Sequence, residues 1–334
     1  MSVTINDIAK ASGLSTATIS RVLSGKGNVK KETADLVMKY VEELGYKYKN
    51  SSKKDPSRDI KIMAIAGDIR NQFYLGIIQG ANNVFIKNGY KMAIFNSNND
   101  PVTEEEFVNF AHQDQYDGII MITATETVTL TELLKKNLCP VVLVNRYIRS
   151  MDLDAVLIDN SRGGYIATQY LIQKGHTRIA HLSGPDNSTA SQDRKQGYLA
   201  ALKDSKIHSE KKAVFEGNLK KESGIAFADY FVNNLSGYTA VFCANDIMAA
   251  AFVERLYELG YQVPRDVSVI CFDDTPAATH GRIKLTTVYC DPETMGEVAA
   301  SILVENLSND TSFKRKVIYP PELIERESVA DISK

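Results

Sequence analysis

The sequence predicts a multidomain protein with an all-α helix-turn-helix head and an α/β core of two doubly wound parallel-sheet lobes. Three observations support this fold class. Residues 4–46 carry apolar residues at helical spacing, interrupted by a glycine. From residue 60 onward, short apolar runs alternate with amphipathic stretches, which is typical of parallel strands joined by crossover helices. That alternation occurs twice in series, and 334 residues are enough for several folding units.

The head is predicted to begin with a short helix and a tight turn. Thr4 and Asp7 have the spacing of a capping box, in which the carboxylate reaches back to the start of the helix. Ile8 and Ala11 are expected to form the apolar face of this helix. Gly13 permits the sharp turn that follows, because a residue without a Cβ adopts left-handed backbone angles at little cost.

A second helix is predicted over residues 16–23, with Ser15 as its cap. Its inward positions are expected to be Ile19, Val22 and Leu23. Its outward positions are small or polar and comprise Thr16, Ala17, Ser20 and Arg21. Such a surface suits the major groove of DNA, because short side chains allow close approach and an arginine can bond a guanine edge or a phosphate.

A third helix is predicted over residues 31–44, ending at Gly45. Its apolar stripe is expected to be Ala34, Val37, Val41 and Leu44. A small structural bundle would show the same pattern, but the charge favours contact with DNA. Residues 1–54 hold ten Lys/Arg against five Asp/Glu, a net of +5, so the remainder of the chain carries −7.

Composition restricts the class of protein further. No apolar run reaches the roughly 18 residues of a membrane span, and the polar N-terminus has no signal-peptide pattern, so a cytoplasmic protein without a membrane partner is expected. The four cysteines are scattered, mostly in apolar runs, as is typical of buried reduced thiols. The sequence indicates no metal site and no cofactor. It contains no GxSxG, P-loop or HExxH motif, so no catalytic residues are predicted.

The core is predicted to contain ten strands, five in each lobe, with polar residues at their carboxyl ends. In doubly wound sheets, ligands bind outside those ends. Asp246 and Asp274 are expected to cap the backbone that follows them. The spacing of Gly76 and Gly80 indicates close helix packing rather than a nucleotide loop. His176 and His181 lack further ligands at a spacing that would suit a metal.

Several fragments resemble one known family. TINDIAKASGLSTATISRVLSG and ETADLVMKYVEELGY are similar to the head of the LacI/GalR (lactose-repressor/galactose-repressor) family of bacterial transcription regulators. FCANDIMAAA, VPRDVSVICFDD and the terminal IERESV are similar to the core of that family, which is periplasmic-binding-protein-like. The resemblance extends over nearly the whole chain. It implies a homodimeric repressor of carbohydrate-utilisation genes that binds pseudo-palindromic double-stranded operator DNA under the control of a small-molecule effector.

The resemblance assigns DNA contacts to individual residues. Base reading is assigned to Thr16, Ala17 and Arg21. Contacts with the DNA backbone are assigned to Thr4, Ser15, Thr18, Ser20, Asn28, Thr33 and Tyr46. The basic linker that follows contains Asn50, which fits the hinge segment of the family. Pro56 stands where the family places a leucine wedge, so the hinge departs from the family pattern.

By the same analogy the chain crosses between the lobes three times. The head comprises residues 1–46 and the linker residues 47–59. The N-terminal lobe comprises residues 60–160 with 291–318, and the C-terminal lobe comprises residues 161–290 with 319–334. Connections of this kind allow the lobes to close on a ligand while each lobe keeps its own structure.

The resemblance assigns effector contacts to Arg194, Asn245 and Asp273. The predicted site is completed by Phe73, Tyr74, Asn145 and Arg146. Carboxylate, amide and guanidinium groups can span the neighbouring hydroxyls of a polyol, so a neutral sugar is expected. A sugar phosphate, which would require more cationic partners, and a nucleobase stay open. The family often places an aromatic near Leu219 or Ile158, and neither residue can stack here.

Two further classes of function are weighed against a regulator. A sugar-acting enzyme would need an acid and a base at a fixed separation, and no motif in the sequence sets such a pair. A transport binding protein would need an export signal, and the basic head argues against that role. Whether a phosphoprotein corepressor takes part, as in one branch of the family, stays open.

Overall fold

The computed structural model describes residues 4–24, 29–44, 46, 59–309 and 313–333. The chain divides into two compact units between Asp59 and Ile60. Residues 47–58 of the predicted linker over 47–59, including Asn50 and Pro56, lie outside the described residues, as does Asn28. Within the part of the chain that the structure describes, no helix is both long enough and apolar enough to cross a membrane.

The first unit contains the helices α1 (Ile5–Ser12), α2 (Thr16–Ser24) and α3 (Lys31–Glu43). The capping box is confirmed, since the Asp7 carboxylate accepts hydrogen bonds from the backbone N–H and the hydroxyl of Thr4 at 2.8 and 2.7 Å. Gly13 has φ of 71°, which is the left-handed conformation that the turn requires. The hydroxyl of Ser15 caps α2 by accepting from the Thr18 N–H at 3.1 Å.

The three helices share a small apolar core, which is formed by Ile8, Ile19, Leu23, Val37 and Val41. Two residues predicted to face inward are exposed, namely Ala11 and Leu44. In α1, Ile5 and Ala9 pack on the core beside Ile8. These three residues form the inward face of the helix, and Ala11 lies outside that face. Leu44 follows the last residue of α3, where the helical periodicity on which the prediction rested no longer applies.

The strands of the second unit are β1 (Lys61–Ala66), β2 (Lys91–Asn96), β3 (Gly118–Met121), β4 (Val141–Val144), β5 (Asp154–Ile158), β6 (Ile179–Ser183), β7 (Val214–Glu216), β8 (Ala240–Cys243), β9 (Ser268–Phe272), β10 (Thr286–Tyr289), β11 (Lys316–Tyr319) and β12 (Glu322–Ile324). Its helices are α4 (Gln72–Lys87), α5 (Pro101–Gln113), α6 (Val128–Lys135), α7 (Asn160–Gln173), α8 (Thr189–Asp204), α9 (Lys221–Asn234), α10 (Asp246–Glu258), α11 (Pro276–Thr279) and α12 (Pro292–Ser308).

These strands form two six-stranded sheets, one in each lobe. The first sheet has the order β11-β5-β4-β3-β1-β2, and the second has the order β12-β10-β9-β8-β6-β7. The pairings are parallel except for the antiparallel pair of β10 and β12. Helices cover the sheets, which is why the central strands β3, β4, β8 and β9 are buried at every residue.

The ten predicted strands are confirmed, whereas β11 and β12 were not predicted as strands. These two elements are short and only partly buried, so they lack the continuous apolar run that marks the inner strands. They lie at the sheet edges, where the C-terminal segment of the chain adds one strand to each sheet. The chain passes between the sheets after β5, after β10 and between β11 and β12.

Glycines allow two close helix crossings in the core. A Cβ on Gly80 of α4 would lie 1.9 Å from the carbonyl oxygen of Glu293 in α12, which confirms the close packing predicted from its spacing to Gly76. In the second lobe, a Cβ on Gly164 of α7 would lie 2.1 Å from the carbonyl oxygen of Arg194 in α8. The second crossing brings the backbone of Arg194 against α7 and so positions that side chain in the site described below.

Candidate functional site

The recognition surface of the head is one face of α2. Thr16, Ala17, Ser20 and Arg21 are exposed, while Ile19 and Leu23 on the opposite face are buried. The structure therefore brings the outward residues of the second predicted helix together on one surface. Every exposed side chain of that set is short except that of Arg21, so the helix backbone can approach a groove closely.

The other residues assigned to DNA are distributed over the helix ends. Thr4 and Ser15 take part in the caps of α1 and α2, and the Thr18 hydroxyl lies 2.8 Å from that of Ser15. Thr33 lies partly buried near the start of α3, and Tyr46 packs on the apolar core of the head. The capping hydroxyls therefore lie at the N-termini of the helices, and helix N-termini bind phosphate groups readily.

A cleft between the two lobes contains two adjoining cavities. The inner cavity has a volume of about 20 Å³ and is lined by Asn71, Phe73, Tyr74, Asn145, Arg146, Ser188, Ala190, Ser191, Arg194, Leu219, Asn245 and Asp273. All seven residues predicted for the effector site belong to this lining. The outer cavity has a volume of about 310 Å³, and it shares Asn71, Tyr74 and Leu219 with the inner one.

Arg194 is the most extensively held side chain of the inner cavity. Its Nε donates to the Asn160 side chain at 2.8 Å, and its Nη1 donates to the carbonyl of Ala244. Its Nη2 lies 3.1 Å from Asp273 Oδ1. The guanidinium also lies 3.6 Å from the centre of the Phe272 ring, a cation–π contact. The guanidinium is therefore fixed in one orientation before any ligand arrives.

A second buried carboxyl lies beside this ion pair. Asp246 accepts from the backbone N–H of Thr275 at 2.5 Å, while its Oδ1 has no hydrogen-bond partner. Burial and the nearby charge of Asp273 raise the pKa of Asp246 to about 7. Burial also raises the pKa of Asp273, against the opposing effect of Arg194. The cluster thus holds two carboxyl groups against one guanidinium.

The capping roles expected for two aspartates need correction. Asp246 does accept a backbone hydrogen bond, but from Thr275 of a different segment rather than from the residues that follow it. Asp274 forms a two-point ion pair with Arg326, at 2.6 and 3.0 Å. Tertiary contacts from the C-terminal segment outweigh local capping at this position, because a charged bidentate bond is stronger than a single N–H contact.

Asn145 and Arg146 enter the inner cavity from the end of β4. Asn145 has φ of 68°, and its side-chain oxygen is buried without a hydrogen-bond partner. Arg146 donates to Asn99 at 3.2 Å, and its Nε is buried and unpaired. Behind it, burial raises the pKa of Glu104, partly offset by a hydrogen bond from Thr125 and by the charge of Arg146. The unpaired atoms give the cavity free acceptors and a free donor.

The first turn of α4 supplies the aromatic wall. Phe73 and Tyr74 are buried, with ring centres 6.2 Å apart in an edge-to-face arrangement, and Asn71 caps the helix by accepting from the Phe73 N–H. Burial raises the pKa of the Tyr74 hydroxyl. The charge of Arg146 lowers this pKa, and the charge of Asp273 raises it. Tyr74 lines both cavities, whereas Phe73 lines the inner one.

Asn245 has a role that the sequence did not suggest. Its side-chain oxygen accepts from the Met248 N–H as the cap of α10, and its amide nitrogen donates to the carbonyl of Leu219. Leu219 has φ of 63°, which is unusual for a branched side chain. Asn145, Asp273 and Asp274 share this left-handed conformation. Strained backbone of this kind is concentrated at binding sites.

Apart from Tyr74, the residues that line the outer cavity were not predicted from the sequence as site residues. Its lining comprises Asp68, Arg70, Asn71, Gln72, Tyr74, Asn99, Asn218, Leu219, Lys220, Lys221, Glu222, Ile247, Thr275 and Ala277. Asp68 and Asn99 follow the first two strands, so the rule that locates ligands at carboxyl ends of strands would have found them. Arg70 and the residues from Asn218 to Lys220 lie in connecting loops, where no periodic pattern marks them, and Lys221 and Glu222 begin α9.

Histidines and cysteines take no part in the cleft lining. His176 bonds Thr239 and the carbonyl of Ala330, and His181 bonds the carbonyl of Phe242. Cys139, Cys243, Cys271 and Cys290 are buried and free, as predicted. Among the described residues, no group of three or more His, Cys, Asp or Glu side chains has a geometry that would hold a metal ion.

Together these features define a class of protein: a regulator with a helix-turn-helix head for DNA and a two-lobed α/β core for a small ligand. Residues 4–48 match the family described as bacterial regulatory proteins, lacI family. Residues 168–329 match the periplasmic binding protein-like domain. The HTH-type transcriptional repressor PurR of Vibrio vulnificus (strain CMCP6) is 32% identical over 334 residues, covering 99% of each chain.

Solved structures agree with that match. The transcriptional regulator CelR in its complex with cellobiose is 28% identical with a TM-score of 0.75, over 98% of this chain and 99% of that one. A LacI family transcriptional regulator from Enterococcus faecium with bound ribose is 25% identical with a TM-score of 0.74, over 81% and 99%. The chain belongs to the LacI family of bacterial regulatory proteins. It is a DNA-binding transcriptional repressor and not an enzyme.

Proposed function

We propose that this repressor acts as a cytoplasmic homodimer on a pseudo-palindromic operator of carbohydrate-utilisation genes, and that a neutral sugar bound in the cleft controls its affinity for DNA. The observation that carries the proposal is the buried Arg194–Asp273 pair of the C-terminal lobe, which lines the same cavity as the unpaired side-chain oxygen of Asn145 and the unpaired Nε of Arg146 from the N-terminal lobe. Buried polar atoms without partners are rare in proteins, so a ligand that supplies hydrogen bonds to them is the natural occupant.

The head supports the DNA part of the proposal. The exposed face of α2 offers Thr16, Ala17 and Arg21 to base edges, and Ser20 lies beside them. A twofold-symmetric dimer presents two such faces to two half-sites, so the operator should have matching symmetry. A bacterial repressor binds chromosomal DNA, and this DNA lies in the cytoplasm. The cytoplasmic location is proposed for that reason.

The charge of the inner cavity supports a neutral ligand. Arg194 is already opposed by Asp273, and the second carboxyl of Asp246 lies close by. Arg146 lines the same cavity, so two guanidinium groups are matched by two carboxyls and no excess of positive charge is left for a phosphate, whereas hydroxyl groups can donate to Asn145 and Asp273. Leu219 is aliphatic and shares the neck of the cavities with Tyr74. Among the described residues that line the cavities, the rings of Phe73 and Tyr74 are arranged edge to face and do not sandwich a flat base.

The connections between the lobes support coupling. Three segments join the two sheets, and the cleft is lined from both sides, so a ligand that contacts both lobes favours the lobe arrangement in which it makes both sets of contacts. A change of affinity for DNA follows if the two lobe arrangements differ in how well the dimer fits its operator. Linkage requires the effect to be reciprocal, so operator DNA must change the affinity for the sugar by the same factor.

Two measurements test the proposal together. Footprinting with the full chain on its own upstream region should protect a palindromic site, and thermal-shift screening should find a neutral sugar that raises the unfolding temperature. The screen includes neutral mono- and disaccharides, sugar phosphates and nucleobases. A sugar that stabilises the protein and alters the footprint supports the proposal. Stabilisation by a nucleobase or a phosphate alone would refute the neutral-sugar effector, and the lack of any protected palindrome would refute the operator.

A further inference from the structure

The cleft contains two separate sets of hydrogen-bonding groups. The inner set surrounds a space of about 20 Å³, which is room for little more than one water molecule. The outer cavity, at about 310 Å³, reaches the volume range of small-molecule sites. The walls of the inner cavity come from both lobes, so a small separation of the lobes widens it, while the outer cavity is open already.

The outer set has its own donors and acceptors, and they face each other across the lobes. On the N-terminal lobe, Arg70 grips Asp68 with two hydrogen bonds, at 2.8 and 2.9 Å. On the C-terminal lobe, Lys220, Lys221 and Glu222 line the same cavity. The Arg70 hydrogen bond holds the pKa of Asp68 below its usual value, and the charge of Lys220 adds to this effect across the cleft.

The outer lining is also apolar on one side. Tyr74, Leu219, Ile247 and Ala277 contribute carbon surface, beside the amides of Asn99 and Asn218. A pyranose or furanose ring has hydroxyl groups around its edge and C–H groups on its faces, so it needs this combination of polar rim and apolar floor. The charged side chains of the lining are Arg70, Lys220 and Lys221 against Asp68 and Glu222, an excess of one positive charge.

We propose that the outer cavity is a second sugar-binding subsite, so that the effector contains at least two linked sugar units. One unit contacts the Arg194–Asp273 set, and the next passes the neck formed by Tyr74 and Leu219 to lie between Arg70 and Glu222. Arg70 and Glu222 are then specificity-determining residues for the second unit. This inference rests on the neutral-sugar effector proposed above and names its size class.

The test compares matched pairs of sugars by isothermal titration calorimetry on the full chain. The probes are glucose with cellobiose and with maltose, galactose with lactose, and fructose with sucrose. In at least one pair the disaccharide should bind at least about tenfold more tightly than its monosaccharide. Arg70→Gln and Glu222→Gln should remove most of that gain and leave the affinity for the monosaccharide unchanged.

A matched control exists on the surface of the protein. Arg265 grips its neighbour Asp266 with two hydrogen bonds, as Arg70 grips Asp68, but it does not line the cleft cavities. Arg265→Gln should therefore leave the affinities for both sugars of each pair unchanged. Unfolding temperatures of the three variants check that each remains folded.

Each other outcome counts against a defined part of the inference. If a monosaccharide binds as tightly as every disaccharide built from it, the second subsite is wrong, and the neutral-sugar effector stands. If Arg70→Gln weakens the monosaccharide as much as the disaccharide, a single unit occupies the outer cavity, and the two-unit assignment is overturned. If no sugar binds while a nucleobase or sugar phosphate does, both the effector class and the subsite are refuted.

Discussion

The guanidinium of Arg194 lies 3.1 Å from the carboxylate of Asp273, and each side chain is only 6% exposed. Desolvating two opposite charges is costly, and their attraction repays that cost only when the geometry is good and the remaining atoms are bonded. Arg194 meets the condition through Asn160, Ala244 and the Phe272 ring. Asp273 does not, since its Oδ1 has no well-directed hydrogen bond, and this leaves the acid free to accept from a ligand.

Asp273→Ala should abolish most effector binding and leave operator binding intact. Losing a hydrogen bond to a charged acceptor costs about 1.5–3 kcal/mol, so affinity for the effector should fall on the order of 10–100-fold. The variant also leaves Arg194 unpaired, and the free energy of unfolding should fall by about 3 kcal/mol. Calorimetry with the effector and a gel-shift titration with the operator give the two affinities.

Asp273→Asn is the matched variant, because asparagine has the same shape and tolerates the φ of 91° at this position. It should retain more stability than the alanine variant while still losing affinity for the effector. Equal losses of operator and effector binding in Asp273→Ala would show that the core and the head do not have separate roles.

Arg21→Ala should have the opposite effect. Arg21 is the exposed arginine of the recognition face, and a bidentate contact with a base is worth about 1–3 kcal/mol. Affinity for the operator should fall on the order of 10–100-fold, and affinity for the effector should not change. Lys39→Ala removes the same charge from α3, where Lys39 pairs with Glu43, so it should change operator affinity far less. Equal effects of the two variants would mean that Arg21 acts through charge alone.

Much of the fold follows from patterns in the sequence. The inner strands are fully buried, so their apolar runs mark them, and their carboxyl ends locate Asn145, Asn245 and Asp273. The edge strands β11 and β12 were missed because their exposed residues break the apolar runs. Ala11 was assigned to the wrong face because a helix as short as α1 contains too few turns to define its apolar direction.

The chemistry of the cleft is less predictable, because it depends on distances between residues far apart in the sequence. The raised pKa of Asp246 arises from burial and from Asp273, and neither is visible in a local pattern. Asn245 was predicted to bind the effector, yet its side-chain oxygen accepts a hydrogen bond within α10 and its amide nitrogen donates one to Leu219. Glu104 is a completely buried acid on α5, on the same helical face as Val108 and Ala111, so the helical period places it inward and only its charge would have predicted solvent.

Asp246→Asn should change how stability depends on pH. In the folded chain the pKa of Asp246 is about 7, against 3.8 in the absence of burial, so the folded state holds its proton more tightly. The contribution of this group to the free energy of unfolding is therefore fully present at low pH and falls as the pH rises from about 4 through about 7. The variant lacks this loss, and its unfolding temperature relative to the parent should be higher at pH 8 than at pH 5.

The comparison with the parent protein is essential, because another group acts in the opposite direction. Burial lowers the pKa of His181 to about 4, so its contribution is lost as the pH falls. That contribution is common to both proteins and cancels in the difference. A pH-independent difference between Asp246→Asn and the parent would show that Asp246 is ionised over the whole range.

Gly80→Ala tests how closely the helices of the N-terminal lobe must approach. The added Cβ would lie 1.9 Å from the carbonyl oxygen of Glu293, and backbone atoms cannot move aside as a flexible side chain can. The helices α4 and α12 must therefore separate, and the free energy of unfolding should fall by about 1–3 kcal/mol.

Gly281→Ala is the control, since its nearest neighbour would be 3.9 Å away, and it should change stability by less than about 0.5 kcal/mol. The chain has no tryptophan, so urea unfolding is followed by far-ultraviolet circular dichroism. Equal stabilities of the two variants would show that α4 and α12 can separate without loss of packing.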